Sequence, residues 1–262
     1  MSLIDVDKSK CARDGICVRD CPMGLLEMAP GEPPREVPEA ESTCLACGHC
    51  AAVCPTGALS LKGAEPGQMP DATRPQLAVA DVEQLLRTRR SVRVYKKDPV
   101  PRDVLRQVIE AARWAPTATN RQGVKWLVVE DAEKVHRLAA MVVDGLRTIP
   151  YFSRAVQAWE GGLDMILRGA PHVLVAYAST EGFEPAIDSA IGLTYVELAA
   201  HARGLGTCWA GVLMAAARLK KEIPQFLQIP EKHKICAAMM IGYPRYEYKR
   251  IPDRNELDVR WM

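Results

Sequence analysis

Residues 44–55 read Cys-Leu-Ala-Cys-Gly-His-Cys-Ala-Ala-Val-Cys-Pro, and this stretch decides the fold of the first part of the chain. Its spacing is Cys-x2-Cys-x2-Cys-x3-Cys-Pro. Residues 11–22 repeat the frame with one substitution, and the four corresponding positions are Cys11, Asp14, Cys17 and Cys21. Seven of the nine cysteines fall in these two stretches. Because thiols stay reduced in the cytosol, such clustered cysteines predict metal ligands in preference to disulfides.

The two stretches resemble the paired motifs of two-cluster bacterial ferredoxins, in which three close cysteines bind one iron–sulfur cluster and the cysteine before proline binds the other. In that frame one four-iron cluster is held by the Cys50 group, which we define as Cys21, Cys44, Cys47 and Cys50. The other cluster is held by the Asp14 group, defined as Cys11, Asp14, Cys17 and Cys54. The resemblance also implies a small, pseudo-symmetric α+β fold.

Asp14 is the departure from the ferredoxin pattern. Carboxylate oxygen is a harder and more exchangeable iron ligand than thiolate, so the cluster of the Asp14 group is expected to be of either the four-iron or the three-iron type. Structural zinc is the alternative for these cysteines, but zinc sites use paired Cys-x2-Cys knuckles, which runs ending in Cys-Pro do not resemble. His49 is expected at the surface, because the cysteines already complete the ligand count.

A change of composition marks the domain boundary. Residues 63–75 contain three prolines and two glycines without apolar periodicity, which predicts a linker over 63–80 between domains at 1–62 and 81–262. Residues 1–64 carry six Lys and Arg against nine Asp and Glu, and the remainder carries 28 against 23, too few basic residues for a nucleic-acid binder. No apolar run approaches the roughly 18 residues that span a bilayer, and the start lacks a secretory signal, so a cytoplasmic protein without membrane contact is expected.

The second part of the chain alternates helical and strand patterns, which predicts a mixed α+β sheet domain. Predicted strands cover 124–129, 172–178 and 235–241. Predicted helices cover 104–112, 132–146, 187–203 and 215–227. A Rossmann fold is not supported, because Gly204-x-Gly206 is followed by Trp209 where a third glycine would stand.

Two polar segments of this part indicate ligand binding. In an extended backbone over residues 89–93, Arg89, Ser91 and Arg93 point to one side and can bind a phosphate, although a solvated basic turn is equally expected from that motif alone. In residues 115–122 the carboxamides of Asn120 and Gln122 share a side and offer both donors and acceptors, as the pyrimidine edge of a flavin requires. Alone, this segment could be a capped loop.

Together with residues 204–211 and 242–254, these segments resemble the FMN-dependent nitroreductase family over nearly all of 81–262, and the whole chain resembles its ferredoxin-fused branch. The resemblance implies FMN phosphate contacts from Arg89, Arg90, Ser91 and Arg93. It implies ring contacts from Pro116, Thr117, Asn120, Gln122, Leu205, Gly206 and Thr207. Further phosphate contacts are expected from Lys249 and Arg250, with Arg254 as an alternative, and Cys208 is expected to be a packed thiol.

These features predict an FMN-dependent oxidoreductase. Clusters carry single electrons and FMN collects two, so electrons are expected to come from a protein such as ferredoxin and to reduce a small nitro compound, quinone or enone. No catalytic side chain is evident. The apolar circumference of 187–203, with the resemblance, predicts a homodimer holding FMN at its interface. A non-catalytic electron-transfer or redox-sensing protein and an NAD(P)H-fed flavin reductase are the alternatives.

Overall fold

The computed structural model describes residues 2–70 and 72–262, and the chain divides into two compact units. The first unit extends to Gln76 and also includes Thr119–Arg121, and the second comprises Leu77–Ala118 and Gln122–Met262. The division after Gln76 lies inside the predicted linker. A 3-10 turn at Pro66–Gln68 lies in the same stretch.

The first unit is built from two antiparallel two-stranded sheets and three short helices. Strand β1 (Ile4–Val6) pairs with β4 (Leu59–Leu61), and β2 (Leu26–Glu27) pairs with β3 (Arg35–Glu36). The helices are α1 (Ile16–Asp20), α2 (Ala40–Thr43) and α3 (His49–Ala52). The predicted ferredoxin-like α+β fold is therefore confirmed.

Two glycines show why the cysteine runs fold alike. Gly15 and Gly48 precede α1 and α3 with φ of 68° and 77°, in the left-handed region that glycine adopts without steric cost. Each turn starts a helix that carries the third cysteine position of its run, Cys17 or Cys50. The duplicated sequence frame is thus a duplicated turn and helix.

The second unit contains a four-stranded antiparallel sheet of order β5-β6-β8-β7. Its strands are β5 (Lys125–Val129), β6 (His172–Ser179), β7 (Gly206–Trp209) and β8 (His233–Gly242). Its helices are α4 (Val79–Thr88), α5 (Arg102–Glu110), α6 (Ala132–Leu146), α7 (Ser153–Glu160), α8 (Pro185–Ala202), α9 (Gly211–Leu219) and α10 (Glu222–Phe226). The mixed α+β architecture expected from the sequence is confirmed.

The predicted single helix over 215–227 is wrong. The chain instead forms α9 and α10, separated at Lys220, whose backbone is extended with φ of −116° and ψ of 109°. Pro224 explains the break, because a proline inside a continuous helix lacks an N–H and its ring clashes with the carbonyl of the residue four positions earlier, here Lys220. Within α10 the proline lies in the first turn, where it is tolerated.

The sheet is covered on both faces, because successive residues of a strand point to opposite sides. On one face Val173 and Val175 of β6 pack in a core with α6 and α9. On the other, Leu174 and Ala176 pack with α5 and α8. Across residues 2–70 and 72–262, no helix has both the length and the apolar character to cross a membrane.

Candidate cofactor sites

The Asp14 group is gathered in the first unit. All four of its members line one small cavity beside α1. Burial raises the pKa of the Cys17 thiol, and the negative charges of Cys54 and Asp14 raise it further. The Asp14 carboxylate also accepts a hydrogen bond from the Ile16 amide at 3.0 Å, which fixes the carboxylate at the start of α1.

In the Cys50 group, the thiols of Cys21, Cys44 and Cys47 lie near enough to Cys50 to affect its ionisation. Burial raises the pKa of Cys50 to about 11, and the neighbouring Cys47, Cys21 and Cys44 add to this rise. Thiols that suppress each other's ionisation bind as thiolates only when a positively charged metal partner compensates. The donor set therefore fits an iron–sulfur cluster, whose iron ions would supply that charge.

Backbone amides donate to the sulfur atoms of both groups. Leu25 N donates to Cys21 Sγ at 3.3 Å, Ala46 N to Cys44 Sγ at 3.4 Å, and Ala58 N to Cys54 Sγ at 3.3 Å. Burial opposes ionisation of Cys54, but hydrogen bonds from Thr56 and the Ala58 amide outweigh it and lower the Cys54 pKa. Such donors hold the ligands in orientation and tune the potential of a bound cluster.

The second unit contains a cavity of about 550 Å³, within the range of roughly 300–1,000 Å³ of small-molecule sites. We call it the arginine cavity, and its lining includes Arg89, Arg90, Val92, His201, Leu205 and Thr207 together with the segment after β8. The sequence-predicted residues Arg89, Arg90, Leu205 and Thr207 are thus brought together, although more than 100 residues of chain separate the arginines from Leu205.

Arg90 fits an anionic ligand in this cavity. Its Nη2 donates to the Arg87 carbonyl oxygen. Its Nε is buried and has no hydrogen-bond partner among the described residues. A buried unpaired donor is costly, and a phosphate oxygen would satisfy it with a charge-assisted hydrogen bond. FMN, when bound, would carry the redox chemistry, while the chain supplies binding and orientation.

Arg89 lies in a buried polar network that the sequence analysis missed. Its Nη1 donates to Glu197 Oε1 at 3.2 Å, and Thr207 Oγ1 donates to the same oxygen at 3.2 Å. Glu197 is buried on α8. One turn further along α8, His201 Nε2 lies 2.8 Å from Thr88 Oγ1. The available sequence signal was a single acidic residue in the otherwise apolar middle of a predicted helix.

Ser91 and Arg93 lie beside β7. Ser91 forms a parallel bridge with Thr207, and Val92 N donates to the Thr207 carbonyl oxygen at 2.8 Å. Arg93 is exposed, and its Nη1 donates to the Ser91 carbonyl oxygen at 3.3 Å. Cys208 is packed as expected, and burial raises its pKa.

Gly206 faces Val92. A Cβ at this position would lie 2.6 Å from Val92 Cγ2, so the space that glycine leaves is filled by a side chain. This close packing accounts for the glycine independently of any flavin contact.

Two of the residues expected at the flavin ring line a separate cavity of about 270 Å³, which we call the Thr117 cavity. Thr117 and Gln122 line it, and the Gln122 amide donates to Thr117 Oγ1 at 3.0 Å. Asp188, buried on α8, accepts from the Ala118 amide at 2.9 Å and fixes this loop. Pro116 is exposed.

Asn120, also expected at the flavin ring, forms hydrogen bonds within the first unit. It belongs to the first unit, where its Nδ2 donates to the carbonyl oxygens of Leu45 and Ala46, both at 3.1 Å.

The basic residues of the tail are all exposed. Lys249 pairs with Glu247 at 2.5 Å, and Arg250 and Arg254 lie further along the exposed tail. The arginine cavity is lined instead by the preceding residues 243–248, which include the basic residue Arg245.

The fold and the arginine cavity of the second unit are typical of a flavin-dependent oxidoreductase. The fold and the cysteine runs of the first unit are typical of a ferredoxin. The model of the nitroreductase family matches residues 86–243, and a 4Fe-4S dicluster domain matches residues 10–58. The chain belongs to the nitroreductase family and is an FMN-dependent oxidoreductase that carries a ferredoxin-type iron–sulfur domain.

Two relatives each match 63% of this chain. Over 167 residues the chain is 28% identical to a provisionally named NADH dehydrogenase/NAD(P)H nitroreductase of Archaeoglobus fulgidus, covering 63% of this chain and 86% of that protein. It is 29% identical over 176 residues to an NAD(P)H-type FMN reductase of Bacillus subtilis, with coverages of 63% and 66%. A nitroreductase with bound FMN from Desulfitobacterium hafniense shares the fold, with a TM-score of 0.60, 22% identity and coverages of 69% and 98%.

Proposed function

We propose that this protein receives single electrons through two iron–sulfur clusters, collects them on FMN and delivers them in pairs to a small conjugated acceptor such as a nitro compound, quinone or enone. The observation that supports the proposal is that all four members of the Asp14 group line one cavity, while the Cys50 thiol lies near Cys21, Cys44 and Cys47. A flavoenzyme that took hydride directly from a nicotinamide would need no clusters. A low-potential protein donor such as ferredoxin would use them.

The flavin is assigned in this proposal to a homodimer interface. The predicted ring residues are divided between two cavities of one chain. Leu205 and Thr207 line the arginine cavity with the predicted phosphate residues, whereas Thr117 and Gln122 line the Thr117 cavity. Helix α8 borders both cavities through Asp188 and His201, and its exposed face carries Ile187 and Tyr195. Burial of this face against a second copy would complete the site, and the exposed basic tail residues Lys249, Arg250 and Arg254 would supply further phosphate contacts.

The electron route is tested on the full-length protein. Replacing Cys47 with Ala removes a ligand of the Cys50 group, and Cys236→Ala is the matched control, because Cys236 is a buried thiol within β8. The Cys47→Ala variant should keep FMN and its chemical reduction by dithionite. It should lose most of the ferredoxin-driven reduction of a nitroaromatic or quinone that wild type and control both show. Undiminished ferredoxin-driven turnover in Cys47→Ala would refute the cluster route.

A second candidate is an NAD(P)H-fed flavin reductase in which the clusters carry electrons outward. The names of the Archaeoglobus fulgidus and Bacillus subtilis relatives, which both include NAD(P)H, favour it. Rapid turnover with NADPH alone, equal in wild type and Cys47→Ala, would select this candidate.

A further inference from the structure

Glu197 is a buried acid that the proposed electron route does not use. It lies on α8 between Val196 and Leu198, and its exposed fraction is 7%. Burying a carboxylate is unfavourable unless it is paired, and replacing a buried ion pair with packed apolar residues is often neutral or stabilising. Stability of the helix packing alone therefore does not account for an acid at this position.

The charges around Glu197 give a specific reason for it. Arg89 contacts it directly, while Arg90 and His201 line the same cavity. The side chain of Arg89 is itself largely buried, with 22% exposed. Lys96 and Arg245 also line the cavity and add to its positive charge. The acid of the lining, Glu247, pairs with Lys249, whereas Glu197 supplies the negative charge that pairs with Arg89.

We propose that Glu197 is an internal counter-ion, which stabilises the empty arginine cavity and, by the same charge, weakens the binding of the FMN phosphate. The inference rests on the proposed assignment of the phosphate to this cavity. The pair of Arg89 and Glu197 is neutral overall, so a phosphate that arrives is attracted by Arg89 and repelled by Glu197. Since the interior screens charges less than water does, the repulsion acts on the bound anion.

Glu197→Gln tests the proposal, because the amide keeps the shape and an oxygen that can accept from Arg89 and Thr207 while removing the charge. Full-length protein freed of flavin is titrated with FMN and, separately, with riboflavin, which lacks the phosphate. The variant should melt at a lower temperature without flavin, should bind FMN more tightly by about fivefold or more, and should bind riboflavin as wild type does.

A matched control is Glu130→Gln, which neutralises the acid of another arginine pair of the second unit, with Arg102. It should leave both flavin affinities unchanged. If Glu197→Gln leaves the ratio of FMN to riboflavin affinity unchanged, or lowers it, the proposal is overturned. An equal loss for both flavins, as a purely structural role would give, also overturns it.

A second pair of variants serves if Glu197→Gln does not fold. It also tests the assignment of the phosphate to Arg89 separately from the counter-ion role of Glu197. Arg89→Leu should lower the ratio of FMN to riboflavin affinity, and Arg89→Leu/Glu197→Leu should raise it again. If Arg89→Leu does not lower the ratio, the assignment of the phosphate to Arg89 fails. If Arg89→Leu lowers the ratio but the double variant does not raise it, only the counter-ion role of Glu197 fails.

Discussion

Gly206, the first residue of β7, has no room for a side chain. The missing Cβ leaves room for Val92, whose amide bonds the Thr207 carbonyl at 2.8 Å. We expect Gly206→Ala to destabilise the second unit by about 1–3 kcal/mol, the usual cost of overpacking. Urea unfolding followed by tryptophan fluorescence measures this, since all five tryptophans lie in that unit. In Gly206→Ala/Val92→Ala, where the clash is absent, part of the loss should be recovered; no recovery would contradict the packing explanation.

Under the proposed ligand assignment, Asp14 would set the cluster type in the Asp14 group. Its carboxylate is aligned by the Ile16 amide, but an oxygen ligand exchanges more readily than a thiolate. Protein isolated in air should therefore show a three-iron signal by electron paramagnetic resonance, and Asp14→Cys should convert that signal to a four-iron one. A three-iron signal that persists in Asp14→Cys would show that Asp14 is not the labile corner.

His172 gives the second unit a dependence on pH. It is buried at the start of β6, and its Nε2 accepts from the Val100 amide at 2.8 Å, so the neutral ring is the form that fits. Burial lowers its pKa from the ordinary 6.5, while the nearby Glu130 opposes this. As pH falls below 6.5, the unfolded chain binds a proton that the folded chain does not.

Stability should therefore fall on acidification, with a slope of up to about 1.4 kcal/mol per pH unit from this residue. His172→Gln should show a shallower slope between pH 7 and about pH 5 in urea unfolding. His201, whose pKa burial also lowers, is retained in both proteins, so the difference in slope isolates His172. Equal slopes would contradict the assignment.

Among the helices, α8 carries the exposed apolar face that we assign to the dimer interface. Its outward face carries Ile187, 54% exposed, and Tyr195, 39% exposed. Under the proposed homodimer, Ile187→Asp should shift the protein to monomers and reduce its FMN content, because a charge would be buried in an apolar interface. Light scattering with flavin absorbance checks both effects. Leu219→Glu, at a more exposed apolar residue at the end of α9, should leave the mass unchanged.

Local sequence patterns predicted most elements because their causes are local. The 3.6-residue periodicity predicted α6 over the residues it occupies, and apolar runs predicted β6 and β8. The break at Lys220 was missed because apolar periodicity continues across it, although Pro224 was a visible local signal.

The candidate sites were predictable only in part, for a physical reason. The cysteine runs are visible as fixed spacings, and the resemblance to two-cluster ferredoxins implied how their members combine into the two ligand groups. The Arg89–Glu197 contact joins residues 108 positions apart, and the pairing depends on how α8 crosses the end of α4. Likewise, the packing of Gly206 on Val92 depends on tertiary contact, which the sequence does not show, and the family resemblance implied a flavin contact at this residue.

For the whole molecule, we propose that electrons enter at the first unit and leave in pairs from the second. The chain carries both kinds of redox domain, matched over residues 10–58 and 86–243. Because a cluster passes one electron at a time and FMN holds two, the order in which the centres become reduced distinguishes the direction of flow.

That order is the most direct test. Under anaerobic conditions the oxidised full-length protein is mixed rapidly with reduced ferredoxin, and the visible absorbance of the clusters and of the flavin is followed with time. The account predicts that cluster reduction precedes flavin reduction, and that adding a quinone then reoxidises the flavin. Flavin reduction that precedes any change at the clusters, or that occurs only with NADPH, would contradict electron entry through the clusters.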